Sequence, residues 1–383
     1  MVEKYLIGLV GQSLERTRQL RRIVQRQYPP EYDGLRRLCL KHLENIQAER
    51  QSLAQETVVD TTLQTPLRVR RFKRLVEHLN SVEGIGVFAL SRISPDDSFL
   101  NRFITKICSE IAFPLRFPTA SHISQDYFQI YPGFELLCVP LLESRFLLHL
   151  PDLYHELCHL FHHGPHIDLP ELETYHAAYV RSQFEMVRHF RDETIAAERL
   201  RKPAGLRDQL QLWMTSWSKY WMQEFFCDLF AVSTAGPAFA WSHYHLCIER
   251  GGDPFETPLV STTTHPADDA RMRAALLMLT ALGFDAEAKQ IEETWRDYLR
   301  IMDYSPAPEY RQCYPDILLS GTVSAAEEGI KGSGVVVAEP DTLVPGVALL
   351  NDAWQEFWQA PEDYQAWETE KLKALRTTLN AAL

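Results

Sequence analysis

Apolar residues recur at helical spacing over most of this chain. The first 115 residues hold four such segments, at about 6–24, 35–53, 67–79 and 94–113, separated by proline, glycine and polar breaks. Two short aromatic and β-branched runs at 127–131 and 134–139 flank Pro132-Gly133, which is typical of a hairpin or a pair of short strands. Helical spacing returns from about 150 to 281. The pattern therefore predicts a mainly α fold (α+β) with one small sheet.

The 383 residues exceed one ordinary domain of ~100–200 residues, so we expect several regions. The first is a helical N-terminal region, 1–115, which is basic at its front. A core follows over 116–304. The C-terminal region, 305–383, reads as a long loop rich in proline and glycine up to about residue 345, followed by two helices. Helical N- and C-terminal regions would thus flank the core.

Charge and composition limit the classes of partner and compartment. The net charge is −12, yet residues 1–75 carry 15 Lys and Arg against 8 Asp and Glu. The acidic whole argues against a nucleic-acid partner, while the basic front either docks within the protein, is simply solvated, or receives a regulatory partner. The seven cysteines are widely spaced, which argues against a disulfide framework. Without an apolar run of ~18–20 residues we expect no membrane span and a cytoplasmic protein.

The string His155-Glu156-Leu157-Cys158-His159 lies in an apolar segment that reads as a helix. Residues i and i+4 share a helix face, so His155 and His159 can reach one metal ion. Glu156 is then close enough to act on a metal-bound water. Two imidazoles with a carboxylate base form the zincin arrangement. The alternative is a helix whose histidines only cap or pack.

The presence of a third metal ligand would favour the zincin arrangement over a helix whose histidines only cap or pack. The metzincin pattern fails, because His162 and Pro165 stand where it needs Gly and His. Sixty-five residues after His159, however, Glu224 and Asp228 are spaced i and i+4 in the apolar segment WMQEFFCDLFA. Buried carboxylates are costly unless they bind a metal or accept hydrogen bonds. Glu224 is thus a candidate ligand, and Asp228 could accept the second N–H of a ligating histidine. Two exposed acids on a helix edge are the alternative.

A third string, Thr264-His265-Pro266-Ala267-Asp268-Asp269-Ala270-Arg271, precedes another apolar helix. HELCH, EFFCD and THPADDAR, in this order, resemble the gluzincin family of the membrane heat-shock metalloproteases and CAAX prenyl endopeptidases, over about residues 134–283. The resemblance implies a zincin-like catalytic core that binds one Zn²⁺ ion. It assigns zinc binding to His155, His159 and Glu224, the general base to Glu156, support to Asp228 and Arg271, and a place near the substrate carbonyl to His265.

The chain also departs from that family. It lacks the membrane helices, and Cys158 stands where the family commonly has Gly. Cys158 and Cys227 either permit close helix packing or provide a redox-sensitive thiol near the zinc. Trp217 and Trp221 share a face with Glu224 and either pack in the core or line the pocket.

Substrates of gluzincins usually pair, as an extended strand, with a sheet edge beside the HExxH helix. The segment with Phe134, Leu136 and Cys138 is our candidate for that edge.

These observations predict a soluble zinc-dependent metalloendopeptidase. It would hydrolyse peptide bonds of a protein or peptide substrate, as a processing or regulatory protease, through a zinc-bound water activated by Glu156. Two alternatives stay open: a catalytically silent zinc-fold scaffold or interaction protein, and a zinc hydrolase of a non-peptide bond. The sequence has no P-loop, no GxGxxG after a strand and no GxSxG elbow.

Overall fold

The computed structural model describes residues 2–56, 61–124, 127–163 and 169–381. It confirms a mainly α fold with one small sheet. The chain forms two compact units, Met1–Ile104 with Pro118–Leu141, and Thr105–Phe117 with Leu142–Leu383. This grouping differs from the predicted regions 1–115, 116–304 and 305–383. The sheet belongs with the N-terminal helices, and the C-terminal region belongs with the segment that carries the three strings.

The helices of the first unit are amphipathic and pack around a larger apolar cluster and a smaller one. They are α1 (Val2–Val24), α2 (Asp33–Gln55), α3 (Thr61–Ser81), α4 (Phe88–Ser91) and the start of α5 (Pro95–Glu110), which continues into the second unit. A π-helical stretch, Val82–Val87, joins α3 to α4. Leu43, Ile46 and Leu79 are buried in the larger cluster together with Leu136 of the sheet. The polar stripes of the same helices account for the basic charge of the N-terminal region.

The sheet has three strands: β1 (Thr119–Ser124), β2 (Gln129–Tyr131) and β3 (Leu136–Pro140). Strand β3 lies in the centre, parallel to β1 and antiparallel to β2.

The predicted substrate edge is therefore wrong for this segment. Leu136 is paired with Thr119 on one side and Tyr131 on the other, and Cys138 is likewise paired on both sides. Phe134 lies in the tight turn before the strand. The two edges of the sheet belong to β1 and β2.

The second unit is built almost entirely of helices. They are α6 (Asp152–His159), α7 (Glu173–Arg199), α8 (Ala204–Ser216), α9 (Met222–Ala235), α10 (Pro237–Arg250), α11 (Asp268–Ala281), α12 (Asp285–Ile301), α13 (Tyr310–Cys313), α14 (Asp316–Gly332), α15 (Pro345–Gln359) and α16 (Tyr364–Ala381). A π-helical turn, Trp217–Trp221, links α8 to α9 without a break. Among the described residues, no helix has both the length and the apolar character that crossing a bilayer requires.

Helix α14 lies inside the stretch that we predicted to be a long loop. Its sequence is rich in small residues, which weakens the apolar periodicity from which helices are predicted. The structure gives the reason for the small residues. A β-carbon on Gly329 would lie only 3.0 Å from the Cα of Tyr175 in α7, so glycine lets the two helices approach closely. The loop prediction was wrong because it missed this packing requirement.

Replacing Gly329 by alanine should destabilise the protein by about 1–3 kcal/mol, because the added methyl group meets backbone atoms that cannot move aside. Gly321 on the same helix is the matched control, since the nearest atom to its added β-carbon is 3.8 Å away. Gly321→Ala should stabilise by roughly 0.5–1 kcal/mol through helix propensity. Urea unfolding of both variants measures the difference, and equal effects would contradict the close packing.

Candidate metal centre

The first part of the site is built on α6. Pro151 and Asp152 lie at the start of this short helix, where a fixed φ and a negative charge are favourable. The i, i+4 spacing places His155 and His159 on one face, with their Nε2 atoms 3.2 Å apart. Glu156 follows His155 directly and is buried as well. The helix therefore presents both imidazoles on one face, as their spacing predicted, and carries Glu156 in the same turn.

The second part comes from α9. Glu224 Oε2 lies 3.4 Å from His155 Nε2, and Oε1 lies 3.9 Å from His159 Nε2. Among the described residues, Oε2 is a buried oxygen without a hydrogen-bond partner of good geometry. Donors of a tetrahedral zinc site with bonds of about 2.0–2.1 Å stand about 3.3 Å apart. The two distances join different oxygens of Glu224, and in the part of the chain that the structure describes no group of single donor atoms within 4.8 Å combines Glu224 with both histidines. The three side chains therefore have the chemistry of a zinc ligand set, and an ion held by them would give Glu224 Oε2 a partner.

Asp228 fixes the tautomer of the first imidazole. Its Oδ1 lies 2.8 Å from His155 Nδ1, so the Nδ1–H donates to the carboxylate and, in the neutral ring, Nε2 keeps its lone pair. Arg271 of α11 donates two hydrogen bonds to the same carboxylate, at 2.6 and 2.7 Å. The structure thus brings Asp228 and Arg271 into the supporting positions that the resemblance implied.

Gln223 contacts the imidazole of His159 in the way that Asp228 contacts that of His155. We did not predict this role from the sequence. The side-chain amide of Gln223 lies 2.9 Å from His159 Nδ1. The atom placed there is the amide nitrogen, which would donate to Nδ1; with the amide turned over, its oxygen accepts the Nδ1 proton and Nε2 keeps its lone pair. A polar residue directly before the candidate ligand Glu224 was the only signal available.

The charges of the site leave one carboxylate to be balanced by a further positive charge. Burial alone would raise the pKa of Glu224, but the neighbouring His155 lowers it to about 2. Burial also opposes ionisation of Asp228, yet Arg271 and His155 hold its pKa well below the usual range. Two carboxylates therefore face a single arginine. The remaining negative charge can be balanced by a proton on His155, whose pKa these two carboxylates raise against the effect of burial, or by a metal ion.

Cys227 is a competing third donor, because its sulfur lies within 4.8 Å of donor atoms of His155 and His159. Burial and the neighbouring Cys158 raise the pKa of the Cys227 thiol well above its ordinary value. Glu224 is ionised before a metal arrives, whereas Cys227 would have to release a proton on binding, which costs part of its affinity. Glu224 is therefore the better ligand, and both fully buried cysteines lie where α6 and α9 pack together.

His265 borders the site from the loop before α11. Its side chain is 57% exposed, and its Nε2 lies 3.8 Å from Glu224 Oε2. The Thr264 hydroxyl lies 3.0 Å from Nδ1, and donation from this hydroxyl leaves a proton on Nε2. Partial burial lowers the pKa of His265 although the Glu224 carboxylate acts in the opposite direction, and this favours the neutral ring. It can therefore offer an N–H to an oxygen that gains negative charge. His265 also lines a cavity of about 290 Å³ between the end of α10 and the start of α11, and His155, Glu156, His159 and Glu224 are not among its lining residues.

Two buried tryptophans hold this loop in place. Trp221 donates its indole N–H to the Thr263 carbonyl at 3.0 Å, and Trp213 donates to the Pro258 carbonyl at 2.9 Å. The Tyr314 hydroxyl accepts the Ala267 N–H at 3.0 Å. Trp221 and Trp217 are fully buried, which favours core packing over pocket lining. The roles of Trp213 and Tyr314 were not visible in the sequence, because both act across long chain separations.

Comparison with known proteins adds no relative to this picture. No protein-family model, no curated protein and no solved structure matches the chain. The resemblance to gluzincins therefore rests on the three strings and on the geometry into which the structure brings them.

Asp228→Asn should lower the free energy of unfolding by about 3–5 kcal/mol, because it leaves the buried Arg271 without its charged partner. Asp316→Asn is the matched control: Asp316 also pairs with an arginine of α11, Arg273, but its side chain is 79% exposed. That change should cost less than about 1 kcal/mol. Chemical denaturation of the metal-free proteins measures both, and comparable losses would contradict the importance assigned to the buried pair.

His162 should make the protein less stable in acid. Burial and the nearby His159 lower its pKa well below 6.5, and the Tyr175 hydroxyl lies 2.8 Å from its Nε2, where it can donate. A histidine with a depressed folded-state pKa contributes stability above about pH 6.5 and loses that contribution as pH falls. His162→Gln keeps an acceptor, so it should flatten the loss of stability between pH 7.5 and 5. Urea unfolding at both pH values checks this, with His189→Gln as control; an unchanged slope would refute the assignment.

Proposed function

We propose that this protein is a zinc metalloendopeptidase that hydrolyses peptide bonds of a protein substrate. The observation that carries the proposal is the convergence of His155, His159 and Glu224, with His155 oriented by Asp228. Two imidazoles and a carboxylate are a zinc ligand set that leaves a fourth position open for chemistry. A purely structural zinc site would instead be closed by four protein ligands.

Each side chain then has a separate task. A bound zinc ion would polarise the scissile carbonyl and lower the pKa of a water molecule. Glu156 takes a proton from the attacking water and passes it to the leaving amine. His265 donates its Nε2–H to the carbonyl oxygen as that oxygen gains charge. Asp228 and Arg271 hold His155 in the tautomer that keeps Nε2 free.

Glu156 separates this proposal from a silent scaffold, because a scaffold has no need of a general base. The exposed His265 and its adjoining cavity favour a site open to an extended substrate, although an ester or amide of another kind would meet the same groups. We further propose a cytoplasmic processing or regulatory role.

A candidate regulatory surface lies in the first unit. A cavity of about 640 Å³ there is lined by Glu56, Leu67 and five basic residues of α3, Arg68, Arg70, Arg71, Lys73 and Arg74. Its charge suits an acidic partner.

Glu156→Gln should abolish chelator-sensitive peptidase activity, with a loss in kcat of about 10²–10⁴-fold for removal of the general base. The variant should still bind one zinc ion at the α6 site, because the amide leaves His155, His159 and Glu224 in place. Peptide cleavage followed by mass spectrometry measures the first effect, and metal analysis measures the second.

The Glu156→Gln variant also serves as a substrate trap. Substrates that it retains from extract should be cut by the wild-type protein and spared by the wild-type protein treated with a chelator. Unchanged cleavage by Glu156→Gln would refute the mechanism. Cleavage of small esters with no cleavage of any peptide would favour the hydrolase of a non-peptide bond.

A further inference from the structure

A second group of histidines lies in the same unit and shares no residue with the first. His149 ends the short 3₁₀ turn Leu147–His149 that leads into α6. His245 and Glu249 are spaced i and i+4 on α10, so both side chains lie on one face of that helix. One donor atom from each of the three residues lies within 4.8 Å of the other two. We propose that His149, His245 and Glu249 form a second zinc-binding site.

The geometry within the group supports a shared ion. The imidazole centroids of His149 and His245 are 5.0 Å apart, and His245 Nε2 lies 3.2 Å from Glu249 Oε1. The carboxylate of Glu143 accepts a hydrogen bond from His149 Nδ1. Metal-binding histidines commonly donate their second N–H to a carboxylate in this way, which fixes the ring and leaves Nε2 as the ligand. Glu143 thus has the same relation to His149 as Asp228 has to His155.

The charge around the group also suits a cation. Glu143, Asp152 and Glu249 all lie near enough to His149 to act on it electrostatically. His149 pairs with Glu143 and His245 pairs with Glu249, so the carboxylates around the group outnumber its imidazoles. A divalent ion would balance this negative charge. Two imidazole nitrogens favour zinc or a similar transition ion over magnesium and calcium, which prefer oxygen ligands.

The placement of the group indicates what such an ion would do. His149 lies three residues before Asp152, the first residue of α6, and α10 is a separate helix that ends at Arg250. An ion held by both would tie the entry of α6 to α10. It would therefore raise the stability of the unit without touching the groups that we assign to the reaction.

Zinc stoichiometry tests the proposal on the full-length protein. Metal-free protein is titrated with zinc chloride, desalted and analysed for bound zinc, and its thermal unfolding is followed in parallel. The wild type and the control His189→Gln should each hold two ions.

The variants His245→Gln and Glu249→Gln should each hold one ion and lose the thermal shift due to the second ion. Glu249 is 57% exposed at its side chain, so its variant should fold normally. Glu143→Gln should weaken the second site by about 10–100-fold.

The double variant His155→Gln, His159→Gln separates this proposal from the proposed function, since it should lose one ion and keep the other. Two ions retained by both His245→Gln and Glu249→Gln would overturn the second site. The second site would also be overturned if the wild type held a single ion and the double variant held none. The peptidase proposal would then stand. A single ion lost in His245→Gln but kept in the double variant would support the second site and remove the α6 site instead.

Discussion

The site depends on the buried carboxylate of Asp228. This one group accepts two hydrogen bonds from Arg271 and one from His155, and so connects α9 to both α11 and α6. Asp228 and its hydrogen-bond donors, Arg271 and His155, stabilise one another. The buried arginine would be an unpaired charge without Asp228, and the carboxylate would be equally costly without its donors. Because these helices can satisfy their charges only together, the positions of the candidate ligands follow from the packing.

The elements next to α9 also help to position the groups of the site. Glu224 follows the π-helical turn Trp217–Trp221, and π-helical turns are frequent at functional sites. Trp221 in this turn also holds the loop that carries His265. One continuous helical run from α8 to α9 therefore carries the candidate third ligand, the carboxylate that orients His155, and an anchor for the loop with His265. Rigid elements of this kind hold catalytic groups in place more precisely than free loops do.

The i, i+4 spacing of residues within single helices made part of the candidate site predictable from the sequence. His155 and His159, and likewise Glu224 and Asp228, are i, i+4 pairs, and an apolar helix fixes their relative position without knowledge of the fold. Strand order and helix contacts depend on residues far apart in the chain. The central place of β3, the helical state of α14 and the grouping of the C-terminal region with the site were therefore not predicted. Gln223 was missed for the same reason, since its partner is 64 residues away.

A zinc-soaked crystal, with anomalous scattering recorded on both sides of the zinc absorption edge, tests the central claim most directly. The account predicts an anomalous peak about 2.0–2.2 Å from Nε2 of His155, Nε2 of His159 and a carboxylate oxygen of Glu224. Asp228 should remain hydrogen-bonded to His155 and stay outside the ligand set. A peak bound by Cys227 in place of Glu224, or no peak between α6 and α9, would contradict it.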